Sequence, residues 1–105
     1  AIDLSFTYII NDIPYLLKKE DKSTSFINLN TQKAEYRLHS DMQFRYMKND
    51  IVVITRMRHR FFFIKKASEY IEAYRISDLH HPVLSTKAVY NSCAESGDDL
   101  IIFTN

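Results

Sequence analysis

Apolar and polar positions alternate along most of this chain with a period of two, the signature of strands in a pleated, half-buried sheet. Leu4 to Ile10 is rich in Phe, Tyr, Thr and Ile, and Asn11-Asp12 supplies a turn before a second run, Ile13 to Lys19. The polar stretch Glu20-Asp21-Lys22-Ser23 predicts the next turn, Thr24 to Leu29 a third strand, Asn30-Thr31-Gln32-Lys33 another turn, and Ala34 to Leu38 a short fourth strand. The pattern then resumes at Ile51 to Arg56, Arg60 to Lys66 and Tyr70 to Ile76, followed by a weaker strand at Val83 to Ser85 or Ala88 to Tyr90. Ser96-Gly97-Asp98 turns into a last apolar strand. Thr86 to Ala94 carries a competing pattern for a short helix through Ala88, Val89 and Cys93, whereas Tyr70, Glu72, Tyr74 and Ile76 alternate as a strand does. His39 to Asn49 and Thr86 to Asp98 are the longest connections on this reading.

One segment occurs three times: Asp3-Leu4-Ser5-Phe6-Thr7-Tyr8, Asp50-Ile51-Val52-Val53-Ile54-Thr55 and Asp99-Leu100-Ile101-Ile102-Phe103-Thr104. The offset from residue 3 to 50 is 47, and from 50 to 99 it is 49. Sliding by 47 also lays Pro14-Tyr15-Leu16-Leu17-Lys18-Lys19 over Phe61-Phe62-Phe63-Ile64-Lys65-Lys66, and Ile27-Asn28-Leu29-Asn30-Thr31 over Tyr74-Arg75-Ile76-Ser77-Asp78. The fold expected is all-β, with antiparallel four-stranded meanders repeated at 47–49 residues: a first repeat over 1–49, a second over 50–98, and the first strand of a third over 99–105.

On these segments the chain resembles a divergent β-propeller, whose blades are four-stranded antiparallel meanders repeated at such a period. No family-specific mark accompanies the resemblance: the chain has no tryptophan and one glycine, so the Trp-Asp and double-glycine blade signatures are missing. It implies that Leu4 to Tyr8, Ile51 to Thr55 and Leu100 to Thr104 are inner strands. It also implies that a ring is completed by the rest of a longer polypeptide, by a partner chain or by identical copies, since two blades would leave long unpaired edges. The chain, without an initiating Met and with its last strand near Asn105, then reads as a piece of something longer. A duplicated β-barrel or sandwich, in which the third copy pairs back onto the first strand, is the alternative fold and would make a small stand-alone ligand-binding protein.

Charge narrows the functional classes. Lys plus Arg at 14 against Asp plus Glu at 13 gives a formal net charge of +1, so no global field draws nucleic acid or an anionic membrane. Lys18, Arg56 and Lys65 interrupt the best apolar runs well short of a membrane-spanning helix. The single Cys93 excludes an intrachain disulfide and suits a reducing compartment, so an intracellular, soluble protein is expected, in cytoplasm or nucleus alike. Candidate acid–base or metal residues are His39, His59, His80 and His81 with Asp41, Asp78, Asp98 and Asp99, but no spacing ties them together. No glycine-rich phosphate loop or nucleophile elbow occurs. The expectation is no enzyme, no metal and no cofactor.

Two binding surfaces compete. Arg56, Arg58 and Arg60, with Lys65 and Lys66 and the intervening Phe61 to Phe63, have the cation–aromatic composition of a nucleic-acid surface, here placed across a hairpin turn. The leading expectation is instead a protein partner on the rim formed by the two long connections, through Phe44, Arg45 and Tyr46 in the first and Tyr90 in the second, residue types enriched at interface hot spots.

Overall fold

The computed structural model describes residues 7–20, 23–59 and 67–105, and every element among them is a strand. The chain divides into two compact units, 1–40 and 41–105. The first holds one open antiparallel sheet in chain order, β1 (Thr7–Ile10), β2 (Ile13–Glu20), β3 (Ser23–Asn28) and β4 (Lys33–Leu38). The second holds a sheet of the same order, β5 (Gln43–Lys48), β6 (Ile51–His59), β7 (Ala67–Arg75) and β8 (Leu84–Lys87), followed by a hairpin of β9 (Tyr90–Ser96) and β10 (Asp99–Thr104).

Tight turns set the registers. Asn11 and Asp12 both have positive φ, 50° and 65°, between the paired Ile10 and Ile13, the twist that a two-residue hairpin requires and that Asn and Asp tolerate. Asn49 (φ 54°) does the same between Lys48 and Ile51, and Gly97 (φ 59°) between Ser96 and Asp99. Between β3 and β4 the Asn28 side chain does the work: its Oδ1 accepts the N–H groups of Asn30 (2.8 Å) and Thr31 (3.3 Å), while its Nδ2 donates to Glu35 (2.8 Å). Glu35 is the extra residue of a bulge and also accepts the Tyr15 hydroxyl at 2.6 Å. These two bonds hold its carboxyl below the ordinary carboxylate range. Ile10, Tyr15, Leu17, Phe26 and Leu38 are the buried apolar residues among those described in this unit.

In the second unit β6 and β7 pair through nine consecutive residues, from Ile51 opposite Arg75 to His59 opposite Ala67. Val53, Ile71 and Ala73 lie on one face of that pair, and Tyr90, Cys93, Leu100 and Ile102 of the hairpin pack onto them together with Tyr46, Ile51 and Ala88. Val52, Ile54, Glu72 and Tyr74 occupy the opposite face and are buried as well. A strand sealed on both faces needs a continuous apolar run rather than an alternating one, which is what Ile51-Val52-Val53-Ile54 provides.

Four sequence expectations change. Residues 43–48 of the supposed first connection are strand β5, whose apolar alternation is broken by a bulge at Arg45. The second supposed connection, with its competing short helix at 86–94, holds β8 and β9. Arg56 to His59 continue β6 instead of turning a hairpin, because each has a partner on β7. Finally, Thr7 and Tyr8 of the first repeat copy belong to the first strand of their sheet, while Ile51–Thr55 belongs to a second strand. The positional counterpart of Asp50 is Asp12, in Asn11-Asp12-Ile13 against Asn49-Asp50-Ile51, and that of both is Asp98 in Gly97-Asp98-Asp99. Asp3 to Phe6 and the strand expected at Arg60 to Lys66 lie outside the described residues.

Candidate interaction surface

On the face of the second sheet opposite the hairpin, β6, β7 and β8 place Ile54, Glu72 and Ser85 side by side. Glu72 is 1% exposed, and a carboxylate so buried must be paired and hydrogen-bonded. Ser85 Oγ donates to Oε2 at 2.8 Å and the Tyr74 hydroxyl to Oε1 at 2.8 Å. Arg56 Nε stands 2.7 Å from Oε1 as an ion contact whose N–H points off the line, and Arg56 Nη2 donates to the Tyr74 hydroxyl at 3.1 Å. Its Nη1 reaches out to Asp41 Oδ2 at 3.1 Å. The network ties β6 to β7, β8 and the residues entering β5, and it engages the guanidinium of Arg56 with two carboxylates.

That engagement bears on the basic surface suggested by the sequence. Arg56 is spent on Glu72 and Asp41, Arg58 lies along β6, and Arg60, Lys65 and Lys66 lie outside the described residues, as do the side chains of Arg58 and His59. The carboxylates among the candidates are used locally as well. Asp78 accepts the backbone N–H of His80 at 3.2 Å and faces His81 Nδ1 at 3.1 Å; the His80 bond, with the His81 ring, holds its carboxyl below the ordinary range. This is an exposed turn, and among the described residues no group of three or more His, Cys, Asp or Glu could hold a metal ion. Asp98 sits in the β9–β10 turn and Asp99 opens β10.

Of the four residues expected on a protein-binding rim, the structure gathers three. The Arg45 guanidinium lies 5.3 Å over the Tyr90 ring and its Nε donates to Thr55 Oγ1 at 3.0 Å. The Tyr46 hydroxyl donates to Glu95 Oε2 at 2.8 Å. Phe44 pairs with Ile54 and so belongs to the Glu72 face. Three further residues complete the cluster: Lys48 Nζ stands 3.5 Å from Glu95 Oε1 and donates to the Gly97 carbonyl, and Glu69 Oε2 accepts the Tyr90 N–H at 2.6 Å. Burial pushes the Tyr90 phenol up to about 12. Arg45, Tyr46 and Tyr90 thus fasten the hairpin to the sheet. Sequence reasoning missed Lys48, Glu69 and Glu95 because their pairing depends on β5 and β9 being strands; the Tyr46/Lys48 alternation was the available signal.

The hairpin so fastened presents its other face to solvent. Ile101 pairs with Ala94 and Phe103 with Ser92 on that face; Ile101 is 41% and Phe103 48% exposed, and Val89 nearby is exposed too. Among the described residues β10 pairs with β9 along one edge and with no strand along the other. β6, carrying the same sequence motif, has Val52 and Ile54 at 0% exposure at the motif positions of Ile101 and Phe103 and a strand on each side.

No protein-family model, curated protein or solved structure matches this chain. No helix among the described residues is long and apolar enough to cross a membrane.

Proposed function

We propose that this chain is a non-catalytic protein-interaction scaffold, a segment of a repeated-meander domain of the β-propeller type. The observation that carries the reading is the Asp-led apolar strand that follows a tight turn in each of the three sheets, fully flanked in β6 and, among the described residues, open on one edge and one face in β10. An exposed apolar row on an otherwise well-fastened element is a usual mark of an interaction site. Of the residues first expected to meet the partner, Arg45, Tyr46 and Tyr90 hold the hairpin that displays this surface, while Phe44 lies on the opposite face of the sheet. An intracellular setting accords with a lone, half-buried Cys93.

The test is a set of matched binding measurements on the intact chain: association with a purified candidate protein partner, and with RNA and DNA oligonucleotides across a salt series. The scaffold reading expects saturable protein binding that survives moderate salt and depends on the hairpin. Nucleic-acid binding with a steep salt slope that is flattened by Arg56→Ala or Arg58→Ala would overturn it.

A further inference from the structure

The three sheets share one hairpin geometry and can be aligned on their turns instead of on the repeated motif. Ile10, Lys48 and Ser96 each end a strand before a two-residue turn, and Ile13, Ile51 and Asp99 open the strand after it. Counted from there, Tyr15, Val53 and Ile101 are equivalent, and the pair Val52 and Ile54 corresponds to Pro14 and Leu16 in the first sheet and to Leu100 and Ile102 in the hairpin. Each sheet then has two unlike faces, one holding the Val53 position and the other the Val52 and Ile54 positions, because side chains alternate along a strand.

The second unit shows how two such faces meet. The Val53 face of its sheet, with Tyr46, Ile71 and Ala73, packs against the Leu100 and Ile102 face of the hairpin, with Tyr90 and Cys93. A face of one type is thus joined to a face of the other type on the following sheet. The hairpin's own Val53-type face carries Ala94 with the half-exposed Ile101 and Phe103. The Val52-type face of the first sheet carries Ile9, which is 60% exposed, with Pro14, Leu16 and Ile27 half-buried. These are the two halves of the junction that the second unit already contains.

We propose that the exposed face of the hairpin binds a second copy of this chain, through the Ile9, Pro14 and Leu16 face of that copy's first sheet, and so repeats the junction between the second sheet and the hairpin. In the repeat Ile101 stands in the place of Val53 and meets Pro14 and Leu16 in the places of Leu100 and Ile102. The polar fastening of the observed junction joins Tyr46 and Lys48 to Glu95. Its three positions become Ala94, Ser96 and Ile9, so the carboxylate and the cation that faces it disappear together and an Ala94–Ile9 contact replaces the Tyr46–Glu95 bond. Since the two faces differ, copies add head to tail, closing as a ring or continuing as a filament. The inference names the occupant for the scaffold reading and rests on its repeated-meander part.

The experiment is sedimentation velocity on the intact chain across a concentration series, with the variants Ile9→Asp and Phe103→Asp. The mass of the unaltered chain should grow with concentration, and either variant should raise the apparent Kd by about tenfold or more, the scale of one charge forced into an apolar contact. Mixing the two variants decides between modes of contact. The Ile9→Asp copy keeps its hairpin face and the Phe103→Asp copy its first-sheet face, so the mixture should form pairs and nothing larger. Both side chains are exposed, and amide spectra matching the unaltered chain verify folding; Ile9→Ser and Phe103→Ser take their place if the charged variants unfold. A mass that stays that of one chain up to about 1 mM overturns the inference. Assembly that Phe103→Asp abolishes and Ile9→Asp leaves intact overturns it too, in favour of a symmetric contact between two hairpins. A chain that stays single yet binds a protein partner through the hairpin refutes the second copy and leaves the scaffold reading standing, whereas a chain that neither assembles nor binds protein refutes both.

Discussion

β6 and β10 carry nearly the same residues and live in different surroundings. In β6 the run Ile51-Val52-Val53-Ile54 is flanked by β5 and β7, covered on one face by the hairpin and buried on the other, where Glu72, Tyr74 and Arg56 satisfy one another. In β10 the run Leu100-Ile101-Ile102-Phe103 has, among the described residues, one flanking strand and one covered face. A sequence motif therefore specifies what a strand is fit for, and the neighbours decide how much of that capacity is used. The difference locates unused apolar surface at Ile101 and Phe103, which composition alone could not do.

The largest effect should come from breaking the seal on β6. Glu72→Ala leaves the Arg56 guanidinium partly buried without its inner carboxylate, and denaturant unfolding should show a loss of about 3–5 kcal/mol, the scale for removing one member of a buried ion pair. The comparison is sharpened by matched truncations: Ile54→Ala should cost about 2–5 kcal/mol, as deletions in a closed core do, whereas Phe103→Ala at the same position of the sequence motif should cost less than about 1 kcal/mol. If the two costs were equal, β10 would be as enclosed as β6. Smaller still, Tyr46→Phe removes the hydroxyl that holds Glu95 and should loosen the hairpin by about 1 kcal/mol, seen as faster amide exchange in β9 and β10 with β6 little changed.

A pH titration should act on the first unit. The Glu35 carboxyl is held below its ordinary value of 4.5 in the folded chain, chiefly by the Tyr15 hydroxyl and then by Asn28. A depressed carboxyl contributes stability that is complete above the unfolded value and is lost as pH falls through the folded one. The Asn30 and Thr31 amides of the β3–β4 turn should therefore exchange faster on acidification below 4.5, and Tyr15→Phe should move the onset up toward that ordinary value.

Much of the fold was legible before the coordinates. β2, β3 and β4 follow from alternating apolar residues between Asn- and Asp-containing turns, and positive φ at Asn11, Asp12 and Asn49 explains how a chain with one glycine turns its corners. β5 was hidden because the bulge at Arg45 shifts Phe44 and Tyr46 out of strict alternation. β9 was hidden because Asn91-Ser92-Cys93-Ala94-Glu95-Ser96 has little strand preference of its own and is set by pairing with β10. The basic residues after Thr55 suggested a turn, but Arg56 is neutralised by a glutamate on the next strand, a long-range pairing that leaves no local mark. Arg45, Tyr46 and Tyr90, expected from the sequence to meet a partner, make contacts within the second unit. That they hold one another was not visible, since their contacts depend on both hidden strands.

Residue-resolved amide hydrogen exchange on the intact chain tests the contrast between β6 and β10 most directly. The account predicts that residues 52–54 exchange only through global unfolding, while β10 contains amides, those turned away from β9, that exchange orders of magnitude faster under the same conditions. Uniform protection of 100–104 at the level of 52–54, independent of protein concentration, would contradict it.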